Sequence, residues 1–545
     1  MSDQGGGFSA TALAAVESAY LGARDALDRA DVARATDTGA DVAALDAEAE
    51  AWAGPVRARL DALAADPGAL DHEDQRAVEA MRASLGAPGE ASALVAPAPP
   101  AGGCTDARAW AVAMAEGGEV LRRRVEACFA ATASALPVGG ETLGRLQVLS
   151  RLGREPDTTT RRRLFLALEP LWRVVDGDGI SSSPYRVMVR ETADAWAAGQ
   201  SRVARNARSL GVEVSAVETW ATTILAAWRA AVVEPARRVG EAPIEPWDWW
   251  WRAGAAHRAL SGSLPLEAVL RTNRRLYASL GADLDELNVS LDLTPRPSRP
   301  PIPVAFTAFG ARPRLLADGT WSPGRPAVLA TLVDGGLTEL VELVHETGHA
   351  IHIAGIRTRP AFTDWPDADA YTEALADMVA FELWEPAWQR RWMPDGVAVP
   401  EILSIRCAYA DVALDAAWTL FEIRQRRDPG RLPNDTWTEI TSMWLGIARH
   451  PEWSWWAIRG QLIGDPGGMS DYAIGAVLVA ALRDTVRGAL GEIANGDASW
   501  YPWVREHLFR FGASVPARDQ LIGFLGGPPT ADALLAQINR SGRIR

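Results

Sequence analysis

The sequence predicts a mainly α-helical protein with one small β-sheet, and three observations carry that expectation. Apolar residues recur at helical spacing through most of the chain. Short apolar runs that suit strands are confined to one interval, between Leu291 and Val333. Hydrophobic residues make up 48% of the 545 positions and charged residues 23%, a balance able to bury a large core between such helices.

In chain order, Ala12–Leu27 and Val42–Leu63 are Ala-rich helical patterns, so residues 1–85 are expected to form an N-terminal helical layer. Residues 86–103 crowd Pro, Gly and Ala with almost no charge and read as a linker or long loop. Through 104–290, amphipathic patterns over Ala107–Ala135, Gly144–Trp172, Tyr185–Ser209 and Ser215–Val239 suggest stacked helices. From 291 to 545 the texture differs. A Pro/Arg-rich stretch, Thr294–Pro303, leads to Val304–Phe309 and then to Ala327–Val333, the two expected strands. Asp334, Gly335 and Gly336 form a turn, Thr338 is placed to cap a helix reaching Ala354, and Gly355 is its stop signal. Further helices are expected at Ala370–Glu385, Pro400–Arg427, Thr436–Ala448 and Asp471–Ile493.

All 55 cationic side chains are arginine; there is no lysine. A Walker A loop, the strand lysine of a protein kinase and Schiff-base catalysis are therefore excluded. The net charge of −14, without a dense basic run, argues against nucleic acid or an anionic membrane as partner. Three cysteines, Cys104, Cys128 and Cys407, show no C-x-x-C spacing, so no disulfide framework or cysteine zinc site is expected, as suits a reducing compartment. Met1–Ala10 does not resemble a signal peptide, and the longest apolar run, Ala473–Leu482, is about half of a membrane span. The expectation is a cytoplasmic protein of undetermined oligomeric state. Its 23 tryptophans, bunched at 247–251 and 453–456, are expected to be core or cleft wall.

The chemistry is concentrated at His345-Glu346-Thr347-Gly348-His349-Ala350-Ile351-His352. Only seven histidines exist in the chain, and an accidental H-[DE]-x-x-H is expected on the order of 0.01 times. Residues i and i+4 of a helix lie about 40° apart and one turn along it, so His345 and His349 can converge on one metal ion. Glu346, about 100° around from His345, flanks that ion as a base for an activated water.

A third ligand is required. The pattern H-E-x-x-H-x-x-G-x-x-H fails, because His352 and Gly355 stand where Gly and His should be. A glutamate from a second helix is the alternative, and Glu373 follows His349 by 24 residues, with Asp377 one turn further on the same face. Glu373 can close the coordination sphere while Asp377 accepts a hydrogen bond from the far nitrogen of a ligating histidine. Glu382 is the fallback ligand.

These residues carry a resemblance. H-E-x-G-H-A-x-H at His345–His352 resembles the metal helix of the thimet oligopeptidase and oligopeptidase F family of gluzincins, and Glu373-x-x-x-Asp377 is similar to the angiotensin-converting-enzyme type. The strand-like Val328–Val333 and Pro246-Trp247-Asp248 add to it. The resemblance is strong over 327–385 and loose over the helical remainder. It implies an elongated helical body divided by a deep channel, residues 104–290 forming a channel wall, with one Zn2+ per chain at the channel floor. It also implies oxyanion donors from a late helix. Tyr472 matches the first tyrosine of that pattern, whereas Ala476, Val477 and Val479 occupy the later tyrosine positions. Tyr472 is then either an oxyanion donor, working with His450, or a buried phenol at a helix start.

The function these features point to is zinc-dependent hydrolysis of short peptides, with Glu346 as base and the substrate aligned along a strand edge near Ala327–Val333. The alternative is a zinc-dependent hydrolase or biosynthetic enzyme acting on a non-peptide or modified-peptide small molecule through the same metal site. No G-x-S-x-G elbow competes. Without lysine, any permanently cationic grip on a ligand carboxylate must come from arginine, which binds in a planar, two-pronged manner.

Overall fold

The computed structural model describes residues 10–36, 41–86, 103–177, 183–293, 295, 302, 304–316, 318–393 and 396–543. The mainly helical expectation holds, with three small sheets among the described residues. Residues 87–102, most of the expected linker, and most of the Pro-rich stretch 294–303 lie outside the described residues. The chain forms two compact units, each assembled from separate stretches. One comprises Met1–Val95, Pro265–Ala380 and Val486–Phe524; the other Ala96–Leu264, Phe381–Thr485 and Leu525–Arg545. The sequence segments 104–290 and 291–545 are therefore each shared between units.

In the first unit, the helices Ala10–Thr36, Val42–Ala65 and His72–Leu85 bring their apolar stripes together around Tyr20, Leu60, Met81 and Phe362. Asp41 and Asp71 start the second and third helices by accepting the N–H groups of Ala44 and Asp74. A three-stranded sheet has Arg325–Leu329 at its centre, parallel to Ser290–Asp292 and antiparallel to Phe306–Ala311. This corrects the expected strand edge near Ala327–Val333. Both sides of Ala327–Leu329 are paired, and beyond it Ala330 and Leu332 donate to the carbonyls of Asp292 and Leu293. A third strand, Ser290–Asp292, too short to be read from its sequence, occupies that edge, while Phe306–Ala311 is an outer strand.

Next comes the histidine helix, Gly336–Gly355, and after an intervening loop the glutamate helix, Asp369–Ala380. Thr338 does not cap the former, as had been expected; the cap position is Gly335, and the Glu339 carboxylate turns back to accept the N–H groups of Val333, Asp334 and Gly335 at 3.0, 3.0 and 2.7 Å. A carboxylate meeting three donors at the positive end of a helix outcompetes one hydroxyl. The glutamate helix ends at Ala380 rather than Glu385, continuing as a 3-10 turn, Phe381–Trp384.

In the second unit, several long amphipathic patterns are broken. Ala107–Ala135 becomes Ala107–Glu116 and Gly118–Ala133, with Gly117 between them at φ +63°, where a side chain would collide with Glu191. Gly144–Trp172 contains three helices, interrupted around Pro156 and at Ala167-Leu168, just ahead of Pro170 in the first turn of the third. The long helix Glu401–Arg427 is buried along most of its length. The tryptophan clusters are part core and part wall, with Trp250, Trp251 and Trp453 half-buried: Trp247, Trp250, Trp453 and Trp455 surround Phe165 with ring centroids 5.8–6.3 Å from it or from one another, and Trp418 stacks on Trp437 at 5.0 Å. Cys104 and Cys128 form a disulfide, although no disulfide framework was expected; the folding of Gly118–Ala133 back onto Cys104 brings together cysteines 24 residues apart. That pairing removes the support that cysteine usage lent to a reducing compartment. Among the described residues no helix is long and apolar enough to cross a membrane.

Candidate metal centre

The first unit brings His345, His349, Glu373, Asp377 and Glu346 together. His345 and His349 sit one turn apart on the histidine helix, and their rings face edge to face at 4.7 Å. The glutamate helix can approach them because residue 348 is glycine. A Cβ there would lie 2.5 Å from the carbonyl oxygen and 2.9 Å from the Cα of Ala376, both backbone atoms. This contact sets Glu373 and Asp377, which flank Ala376, against the histidines.

Nε2 of His345 lies 3.3 Å from one oxygen of Glu373, and Nε2 of His349 lies 3.7 Å from the other. Ligands about 2.0–2.1 Å from a tetrahedral ion stand roughly 3.3 Å apart, so these three donors fit a small divalent cation. Asp377 Oδ1 is 2.7 Å from His345 Nδ1. A carboxylate at that nitrogen holds the proton there and turns the Nε2 lone pair toward Glu373. Burial opposes charge on His345, but Asp377 and Glu373 outweigh it and raise the ring well above its ordinary value. Burial likewise works against charge on Glu373, and the two histidines overcome it to lower the carboxyl below its usual range.

Glu346 is buried beside this trio, its Oε1 4.0 Å from His345 Nε2. Thr307, on the outer strand Phe306–Ala311, places its hydroxyl 2.7 Å from Glu346 Oε2 and 2.8 Å from the Glu346 carbonyl oxygen. One oxygen of Glu346 is thereby held, leaving Oε1 on the histidine side. Further groups set the helix itself: Asn273 donates to Thr347 at 3.0 Å, and Tyr277 to the Val344 carbonyl at 2.6 Å. Trp365 packs its ring against His349 and His352 at 5.4 and 5.3 Å. Its loop is anchored by the fully buried Arg312, which pairs with Asp28 at 3.2 Å and Asp364 at 3.5 Å. Burial works against the charge of Asp364, but Arg312 and Arg24 prevail and hold it at about 2. Thr307, Asn273, Tyr277 and Trp365 were not singled out from the sequence; a lone polar residue in an apolar strand was the only available signal for Thr307.

His352 is not a ligand. It is sealed between Trp365 and Phe509, with ring centroids 4.8 Å apart in the latter pair, and burial with the nearby His349 lowers it to about 3. Glu382, the fallback ligand, belongs to the second unit, where it forms a buried pair with Arg483 at 2.7 Å. Tyr472 and His450 are also in the second unit. Tyr472 is 40% exposed rather than buried, and its hydroxyl accepts from Gln461 at 3.1 Å. His450 has Glu452 at 2.7 Å from Nδ1 and Glu245 at 2.8 Å from Nε2, and it stacks on Trp453.

No protein-family profile matches the chain, and no curated protein matches it in sequence. Solved structures do share its fold. Trypanosoma cruzi metallocarboxypeptidase 1 is similar with a TM-score of 0.52 at 14% identity, over 97% of this chain and 99% of that one. An M32 carboxypeptidase from Deinococcus radiodurans R1 is similar at 0.50 and 15%, over 97% and 98%. A protein assigned as an oligoendopeptidase F is similar at 0.54 and 15%, over 97% and 96%. At these identities the likeness is one of fold: a mainly helical architecture that these proteins share with the chain over nearly its full length.

Proposed function

We propose that this chain is a zinc metallopeptidase of gluzincin type that hydrolyses peptide bonds in short peptides. The observation that carries the reading is the convergence of His345, His349 and Glu373 at 3.3 and 3.7 Å with Glu346 held alongside by Thr307. The names of the fold relatives, two carboxypeptidases and an oligoendopeptidase, support peptide hydrolysis.

His345, His349 and Glu373 would hold the zinc, which when bound supplies Lewis-acid polarisation of a carbonyl and acidifies a water molecule. Asp377 keeps the Nδ1 proton on His345 so that its other nitrogen remains a donor. Glu346 takes the water proton on Oε1, the oxygen that Thr307 does not engage, and delivers it to the leaving amine. The outer strand Phe306–Ala311 is proposed to align the substrate by strand addition, since it carries Thr307 and has a strand partner on one side only among the described residues.

Tyr472 and His450 remain proposed oxyanion donors. A donor of this kind loses kcat far more than KM when replaced, so Tyr472→Phe and His450→Ala separate that role from packing. The non-peptide alternative draws on the late helix, where Ala476, Val477 and Val479 replace the family's tyrosines.

The test is a peptide-library digest read by mass spectrometry, with metal analysis of the same samples. Wild type should contain one zinc per chain and cleave short peptides, and Glu346→Gln should keep zinc and fold while losing nearly all hydrolysis. Full activity in Glu346→Gln would refute the mechanism, and bound zinc without cleavage of any peptide would favour the non-peptide substrate.

A further inference from the structure

The second unit contains a cavity of about 420 Å3 whose lining residues all belong to that unit. Its walls are mainly apolar and aromatic, with Trp228, Trp249 and Trp251 among them. That size and character match small-molecule sites. Nothing in the proposed peptide chemistry uses it.

The polar groups on its wall are unbalanced in one direction. Trp228 and Trp249 are 5% and 3% exposed, their rings 5.8 Å apart, and the indole N–H of each is buried without a hydrogen-bond partner among the described residues. Nε of Arg406 is in the same condition, and its guanidinium forms no ion pair or hydrogen bond among the described residues. The other cationic side chains of the wall are occupied. Arg252 pairs with Glu241 at 3.3 Å, Arg258 donates to the carbonyls of Gly153 and Trp251, and Arg237 reaches Glu234 and the Ser442 carbonyl. Glu241, the single acid of the lining, is the one already paired with Arg252. Arg406 is thus the one cationic side chain of the wall without a partner among the described residues, and a buried donor left unpaired is costly.

We propose that this cavity is a binding site for a small organic monocarboxylate with an aromatic or branched apolar body. The carboxylate supplies acceptors only, which is what Arg406 lacks. The guanidinium offers the two-pronged geometry suited to it. The tryptophan faces and the apolar wall take the body of the ligand. A neutral amide of the same shape fits less well, because it brings its own donors and no charge.

Isothermal titration of the full chain with 4-phenylbutyrate, and with 4-phenylbutyramide as its neutral counterpart, tests this. The carboxylate should bind, and the amide should bind roughly tenfold or more weakly, as expected for loss of a charged hydrogen bond. Arg406→Gln should weaken the carboxylate by about the same factor. Ala236→Trp, which fills the cavity and leaves Arg406 in place, should abolish binding; circular dichroism melts confirm that both variants are folded. Absence of carboxylate binding to wild type, equal binding of the amide, or wild-type affinity in both variants would overturn the proposal.

Discussion

Nδ1 of His345 lies 2.7 Å from Oδ1 of Asp377, a contact between helices that touch closely through Gly348 and Ala376. It fixes which nitrogen of His345 is available for a metal ion. Asp377→Asn can still occupy the position but no longer favours a single tautomer. Its affinity for zinc, measured by chelator competition, should fall about 10–100-fold, and the metal-free chain should lose the stability that His345 draws from Asp377 at low pH.

The same pair sets a pH dependence. His345 is raised above its ordinary value in the metal-free fold, so its contribution to stability is complete below about pH 6.5 and is lost as pH rises through the elevated folded value. Glu373 is lowered, so its contribution is present above about pH 4.5 and is lost as pH falls toward the depressed value. Denaturant titrations of the metal-free protein should therefore show the cluster's stabilisation in full between those limits. Glu373→Gln should flatten the profile. Because zinc must displace the His345 proton, zinc affinity should increase with pH over the range in which that proton is released.

Gly348→Ala should destabilise the first unit. The added methyl meets backbone atoms of Ala376 at 2.5 and 2.9 Å, which cannot rotate away as a side chain could. Helix separation should cost about 1–3 kcal/mol and reduce zinc content, both readable from denaturant melts and metal analysis.

Thr307→Val removes the hydroxyl that holds Glu346 Oε2 while preserving shape. Peptidase kcat should drop about tenfold or more, in line with a lost hydrogen bond to a charged group, with zinc content unchanged. Thr307→Ser should recover most of the rate, since it restores the hydroxyl. An unchanged kcat in the valine variant would show that Glu346 is positioned without it.

Glu382→Gln should behave oppositely to Glu373→Gln. The Glu382–Arg483 pair is almost fully buried at 2.7 Å, so removing one charge should cost on the order of 3–5 kcal/mol of stability. Its zinc affinity should match wild type.

The parts of the site legible from the amino-acid order are those fixed by local helical geometry. His345 and His349 share a helix face because residues four apart must, and Glu373 and Asp377 share one for the same reason. The mainly helical architecture was legible likewise, since periodicity repeats within each window. Breaks inside long amphipathic runs were less visible, because Gly117 sits in a sequence whose apolar spacing continues across it.

What lay beyond that reach depends on residues distant in the chain. Thr307 meets Glu346 across 39 positions, the strand Ser290–Asp292 covers the edge of Ala327–Leu329, and of the two histidines expected to meet Asp377 the fold selects His345. Glu373 and Glu382 look alike as helix acids, and only packing assigns one to the histidines and the other to Arg483. Arginine was the one cation the chain could offer a carboxylate, but that Arg406 rather than its neighbours stands unpaired beside Trp228 and Trp249 was decided by tertiary contacts. Helical periodicity constrains neighbours within a turn or two, whereas partner choice follows from burial, where each polar group must find a complement or be left without one.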